Sequence, residues 1–189
     1  MIALAAVLAL AVPAWGIDAD RLKKLLDGLA SEKNAEREES LVALHKEATA
    51  KDVPALLKAS DDKRERVRAG ILFAMGKFWN IPLTEPYPVP EGYFLKASKD
   101  ASPQVRAHYP GICFGVLKRY PKLYPSLLAC LDDRAPCGWG DGYPQTVASQ
   151  ATRVMGWLGR AAKPGYAKVV ALAQAGRVAP HSTVMHLEG

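Results

Sequence analysis

The chain has 189 residues, 49% of them hydrophobic and 23% charged, with a formal net charge of +6 at pH 7. Those proportions exclude wholesale disorder, and the length suits one globular unit or a short repeat array. Nucleic acid is not an expected partner, because no continuous Lys/Arg run with interleaved aromatics occurs.

Residues 1–16, MIALAAVLALAVPAWG, carry no charged side chain, and the apolar run from Ile2 to Val12 is short for a bilayer span. The segment reads as a signal peptide, with a buried first helix or an uncleaved anchor as competing readings. Ala14 and Gly16 flank Trp15 in the small-x-small arrangement of a peptidase site, which places cleavage before Ile17. The mature protein, 17–189, is then exported (periplasmic or secreted), has no stable membrane span, and occupies a compartment where disulfides are allowed.

The elements that follow are helical pairs. Over 18–50, Leu22, Leu25, Leu26 and Leu29 mark one helix and Leu41, Leu44 and Ala48 the next. In the second pair, 51–79, a short apolar helix ends near Ser60, and a longer one carries Val67, Ile71, Ala74 or Met75, and Phe78 on one face. Residues 79–93, WNIPLTEPYPVPEGY, form a proline-rich irregular segment expected to pack as an extended, polyproline-like ridge. The third pair, 92–120, repeats the second: LLKASDDKRERVRAGI from Leu56 aligns without a gap on FLKASKDASPQVRAHY from Phe94, a period of 38 residues. Its second helix carries Val105, Tyr109, Ile112 and Val116, with Pro110 predicting a kink near Tyr109 that curves the array; the competing reading is that the kink turns His108 and Tyr109 toward a groove.

The fourth pair, 123–160, is interrupted. Asp132 and Asp133 match Asp61 and Asp62 at an offset of 71, whereas Val147, Met155 and Gly156 match Val67, Met75 and Gly76 at an offset of 80. Nine residues are therefore inserted at the turn, within CLDDRAPCGWGDGYPQ (130–145). A last helix, with Pro164 near its start and Gly176 past its end, opens a partial or capping pair over 163–189.

The period near 38, the paired helices and the D-x-x-x-x-V-R entry to the second helix resemble the HEAT family and its bacterial HEAT-like, armadillo-type variants. The resemblance covers residues 18 to about 176 and is strongest over 53–117. It implies an all-α fold, an α-α superhelix of about four helical pairs whose neighbours bury one core and leave a concave face for partners. Ala148, standing where Arg68 and Arg106 stand in the other copies, departs from the pattern and interrupts any continuous arginine ladder. What the resemblance implies about function is a protein-binding or scaffolding module. The alternatives are an accessory subunit or lyase-like enzyme on such a scaffold, or one segment of a larger structural repeat protein.

Charge is uneven: residues 17–50 hold six basic against eight acidic side chains, 51–100 nine against seven, and 101–189 ten against four. The basic C-terminal half favours an acidic partner, whether an acidic protein, a polyanion or anionic lipid headgroups, and a protein is the partner expected. The candidate binding surface is the second-helix face of the second and third pairs together with the 132–146 insertion, and Arg106, Trp139, Tyr143 and Arg153 are its candidate binding residues. Asp62 with Arg68, and Asp100 with Arg106, repeat at one register, which is the signature of a structural tie between turns and neighbouring helices.

No catalytic constellation is recognised, and no cofactor or metal is called for. None of His45, His108, His181 and His186 stands in H-E-x-x-H, and no cysteine heads a C-x-x-C-H motif. Cys113 aligns with Met75 and is expected in the core. Cys130 and Cys137 are expected to form a disulfide across the lengthened turn; a zinc site completed by a tail histidine is the competing reading.

Overall fold

The computed structural model describes residues 16–137 and 146–175. The segment through Trp15 that is expected to be a signal peptide, the insertion residues Trp139 and Tyr143, and the tail histidines His181 and His186 lie outside the described residues. Within them the fold is all-α. Nine helices follow in order: α1 (Ala19–Leu29), α2 (Asn34–Glu47), α3 (Val53–Ala59), α4 (Glu65–Gly76), α5 (Glu91–Ala97), α6 (Pro103–Val116), α7 (Tyr124–Cys130), α8 (Val147–Leu158) and α9 (Tyr166–Gln174).

Local chemistry sets the helix starts. Asp18 caps α1 by accepting the Arg21 amide at 2.8 Å, and Ser102 caps α6 ahead of Pro103. Thr146 and Ser149 form a reciprocal capping box at the start of α8. Gly159 ends α8 at φ 52°, a conformation that only glycine adopts without strain.

The long second helices α2, α4, α6 and α8 lie side by side, each against the next, and the short helices α3, α5 and α7 pack on α4, α6 and α8 respectively. Burial follows the sequence alignment position by position. Val67, Val105 and Val147 are all buried, as are Ile71, Tyr109 and Ala151, and Met75, Cys113 and Met155. Identical burial at aligned positions means that the three helices present the same stripe to the same kind of neighbour. Phe94, Leu123, Leu127 and Leu131 fill the other side of one continuous apolar core.

The turns are built alike as well. In each, an aspartate Oδ1 accepts the backbone N–H two residues on: Asp62 from Arg64 at 2.8 Å, Asp100 from Ser102 at 2.8 Å, and Asp133 from Ala135 at 3.1 Å. Arg68 donates through Nη1 to the carbonyls of Asp62 and Lys63 in its own turn, and through Nε and Nη2 to both carboxylate oxygens of Asp100 in the next pair, each at 2.8 Å. Arg106 repeats this, holding the Asp100 and Ala101 carbonyls and reaching the Asp133 carboxylate at 2.6 Å. Each arginine thus clamps its own turn and ties it to the following one, which is the structural role expected from their register. At the third position Ala148 offers no side chain, and its backbone N–H bonds Asp133 O at 2.8 Å instead.

Two expectations need correction here. Cys130 and Cys137 are both buried, but no disulfide joins them or any other pair among the described residues. The neck of the insertion is closed by backbone bonds instead: Pro136 and Thr146 form an isolated antiparallel bridge, and Val147 N–H reaches Ala135 O at 3.3 Å. Tyr109 does not face a groove. Its ring is wholly buried and its hydroxyl meets Ser126 Oγ at 2.5 Å, while α6 runs unbroken through Pro110.

The proline-rich segment packs back on the third pair. Arg119 donates to the carbonyls of Ile81, Pro82 and Glu85 and lies 5.0 Å from the Tyr87 ring centroid, and the Tyr120 hydroxyl donates to Val89 O at 2.9 Å.

Candidate functional site

A hollow of about 420 Å³ opens on the second-helix face, lined by residues of α2, α4, α6 and α8. It exists because the aligned stripes leave one face of each long helix without a covering layer. Phe73 of α4 and Trp157 of α8 stand in it 38% and 52% exposed, where large apolar side chains are normally covered. Rings line its floor: His45 lies 5.0 Å from Phe73, Phe73 lies 6.2 Å from His108, and Phe114 lies 5.8 Å from Trp157.

Gly111 of α6 sits between these clusters, and a Cβ built on it would meet nothing within 4 Å. It stands where Phe73 stands in α4 and Arg153 in α8, so a full side chain is missing from the middle of the row. The absence makes the notch. Gly76 does the complementary job on the wall, since a Cβ there would come within 2.9 Å of Ile112.

Both imidazoles of the floor are held below the ordinary histidine value. Burial pushes the His108 imidazole down to about 4, well below the ordinary histidine value. Burial also lowers His45, and the neighbouring Lys77 ammonium lowers it further against an opposing contribution from the Phe73 backbone. Lys77 is itself lowered by burial, an effect opposed by Asp52. It caps the end of α2, donating to Ala48 O at 2.6 Å and Lys46 O at 3.2 Å, and so is only partly available to a ligand. Arg153 is exposed at the rim.

A second hollow, about 490 Å³, shares His108 and continues toward the starts of α2, α4 and α6. Its arginines are already engaged: Arg37 holds the Ser31 and Glu32 carbonyls, and Arg66 pairs with Glu32 at 3.2 Å.

Of the residues expected to bind, Arg153 lines the first hollow and Arg106 does not. The Arg106 guanidinium is only 18% exposed and is committed to Asp133 and two turn carbonyls, so it belongs to the ladder. Phe73, Trp157, Gly111 and His45 were not singled out by sequence reasoning. Their signal is faint: Phe73 and Trp157 are large apolar residues off the buried stripe of otherwise amphipathic helices.

Chemistry for catalysis is sparse at this face. Among the described residues no three His, Cys, Asp or Glu side chains converge as metal ligands. Cys113 and Cys130 are buried, and burial raises their thiols to about 11 and about 12, away from the reactive thiolate. No helix among the described residues is long and apolar enough to cross a membrane. No protein-family model, curated protein or solved structure matches the chain.

Proposed function

We propose that the chain is an exported HEAT-like α-solenoid that works as a protein-binding module, and that its second-helix face takes an apolar segment of an acidic partner. The observation that carries this reading is the pair of exposed anchors, Phe73 and Trp157, facing one hollow that spans four helices. Exposed apolar surface of this kind, gathered in a concavity, is typical of recognition sites, and aromatic residues dominate the energy of such interfaces. The Gly111 notch gives room for an incoming side chain, and neutral imidazoles cost less to cover with apolar atoms than imidazolium ions would. Arg153 at the rim and the basic C-terminal half supply the attraction for acidic flanks.

Random-peptide selection on the full chain tests this. The expected winners carry a large apolar anchor flanked by Asp or Glu. Their affinity should fall about tenfold or more in Trp157→Ala, the loss typical of an aromatic anchor, and should weaken with salt. Peptides that bind Trp157→Ala and Gly111→Leu as tightly as the parent would overturn the groove as the binding site.

A further inference from the structure

Asp52 is 5% exposed, yet its carboxylate is in no ion pair among the described residues. Its Oδ2 accepts the Thr49 amide and the Thr49 hydroxyl, each at 2.7 Å. Its Oδ1 accepts one further bond, from the backbone N–H of Ile17 at 2.7 Å. The Lys77 ammonium feels the Asp52 charge but donates its hydrogen bonds to the carbonyls of Lys46 and Ala48. Buried carboxylates are ordinarily matched by a hydrogen-bonded positive charge, and among the described residues Asp52 has none in direct contact.

The atom on Oδ1 is the nitrogen of the bond at which the sequence places peptidase cleavage. The junction is also tight. A Cβ on Gly16 would lie 2.4 Å from Asp52 Oδ1, so any larger residue would push the carboxylate aside in the uncut chain. The Ile17 side chain packs on the core, and Asp18 immediately caps α1, so nothing beyond the new terminus would be left loose.

We propose that hydrolysis of the Gly16–Ile17 bond makes a modification site of this pocket: the freed Ile17 α-ammonium becomes the buried counter-ion of Asp52. Water adds to the Gly16 carbonyl carbon and the C–N bond breaks. Gly16 leaves as a carboxylate carrying the water's oxygen, and the Ile17 nitrogen takes up both of the water's protons to become an ammonium. The agent is a processing peptidase that accepts small residues at Ala14 and Gly16 and acts on the extended chain before Ile17 docks. The amide that gave Asp52 one neutral hydrogen bond is replaced by a charged donor at the same place. The folded state thereby distinguishes a correctly cut chain from one cut elsewhere. This inference rests on the export part of the reading above and is independent of the groove.

The test expresses the full chain in an export-competent host and determines the mature N-terminus by intact mass and terminal sequencing. The α-amine is then acylated in the native and denatured protein. The expected result is a chain beginning at Ile17 whose α-amine is protected in the native state and reacts on denaturation. Protection should be lost, with a Tm lower by about 5 °C, in Asp52→Asn. Since that variant also disturbs the Thr49 bonds, a second chain carries one alanine inserted between Gly16 and Ile17, and it should lose protection with Asp52 intact. A mature chain that keeps residues 1–16 or starts at another residue overturns the inference together with the export reading. A chain that starts at Ile17 but whose amine reacts as fast as in the inserted variant overturns the ion pair alone.

Discussion

The clamp made by Arg68 gives the sharpest test of what holds successive pairs together. Its guanidinium makes two bonds of 2.8 Å to Asp100 and two more, 2.9 and 3.1 Å, to the Asp62 and Lys63 carbonyls. The two side chains are 18% and 16% exposed, so the pair is neither a solvated surface bridge nor a fully buried one. Surface pairs contribute about 0–1 kcal/mol, while removing one partner of a buried pair costs about 3–5 kcal/mol. Arg68→Met should therefore cost about 3 kcal/mol, because it leaves Asp100 with only the Ser102 amide and frees two turn carbonyls. For a chain of this size that corresponds to a Tm lower by roughly 8 °C. A double-mutant cycle with Asp100→Asn, read by urea unfolding, should return a coupling of about 2 kcal/mol. The coupling should also depend on pH. Burial acts to raise the Asp100 carboxyl, but the bonds from Arg68 and the Ser102 amide outweigh it and leave the group below its ordinary value. A carboxylate lowered in the folded state contributes stability above its unfolded value, about 3.9, and loses it as pH falls below that. A coupling under about 0.5 kcal/mol at neutral pH, the level of an exposed pair, would refute the clamp.

Other outcomes follow from the same geometry. His108, pushed down to about 4 by burial, stays neutral in the folded chain while its unfolded form protonates near 6.5, so stability should fall as pH drops through that window, by up to about 3 kcal/mol. His108→Gln should lack this part of the slope, and equal urea midpoints shifts from pH 7 to pH 4.5 in both proteins would count against it. Thr152 is 1% exposed and its hydroxyl has no partner among the described residues, at the position Leu72 fills in α4. Thr152→Val should raise stability by about 1 kcal/mol, and a loss in thermal unfolding would show that the hydroxyl is bonded after all. With no disulfide formed, denaturing the protein without reductant should expose three thiols, none of which reacts quickly in the native state; a count of one would restore the Cys130–Cys137 staple.

How much of this was legible beforehand varies with the range of the interaction. The helices and the stripe Val67, Ile71, Met75 with its counterparts depend on spacing of three or four residues, and burial agrees at each aligned position. The aspartate turns are local too, each carboxylate bonding two residues ahead. Arg106 was misplaced because a repeated arginine can tie turns or bind a partner with the same spacing, and only its acceptors decide between them. The cysteines misled in a related way. Proximity along the chain and a lengthened turn suggested a staple, whereas the backbone bridge between Pro136 and Thr146 already closes that neck.

The sequence by itself determined the all-α class and the buried face of each long helix, since both follow from periodicity and register. Only the tertiary structure decided what happens where helices distant in the chain meet. It set Arg68 on the aspartate of the next pair and left His108 at the groove. It gathered Phe73, Gly111 and Trp157 into one hollow and laid Ile17 against Asp52. Those contacts join residues tens of positions apart, and no local spacing encodes which faces of two packed helices will look at each other.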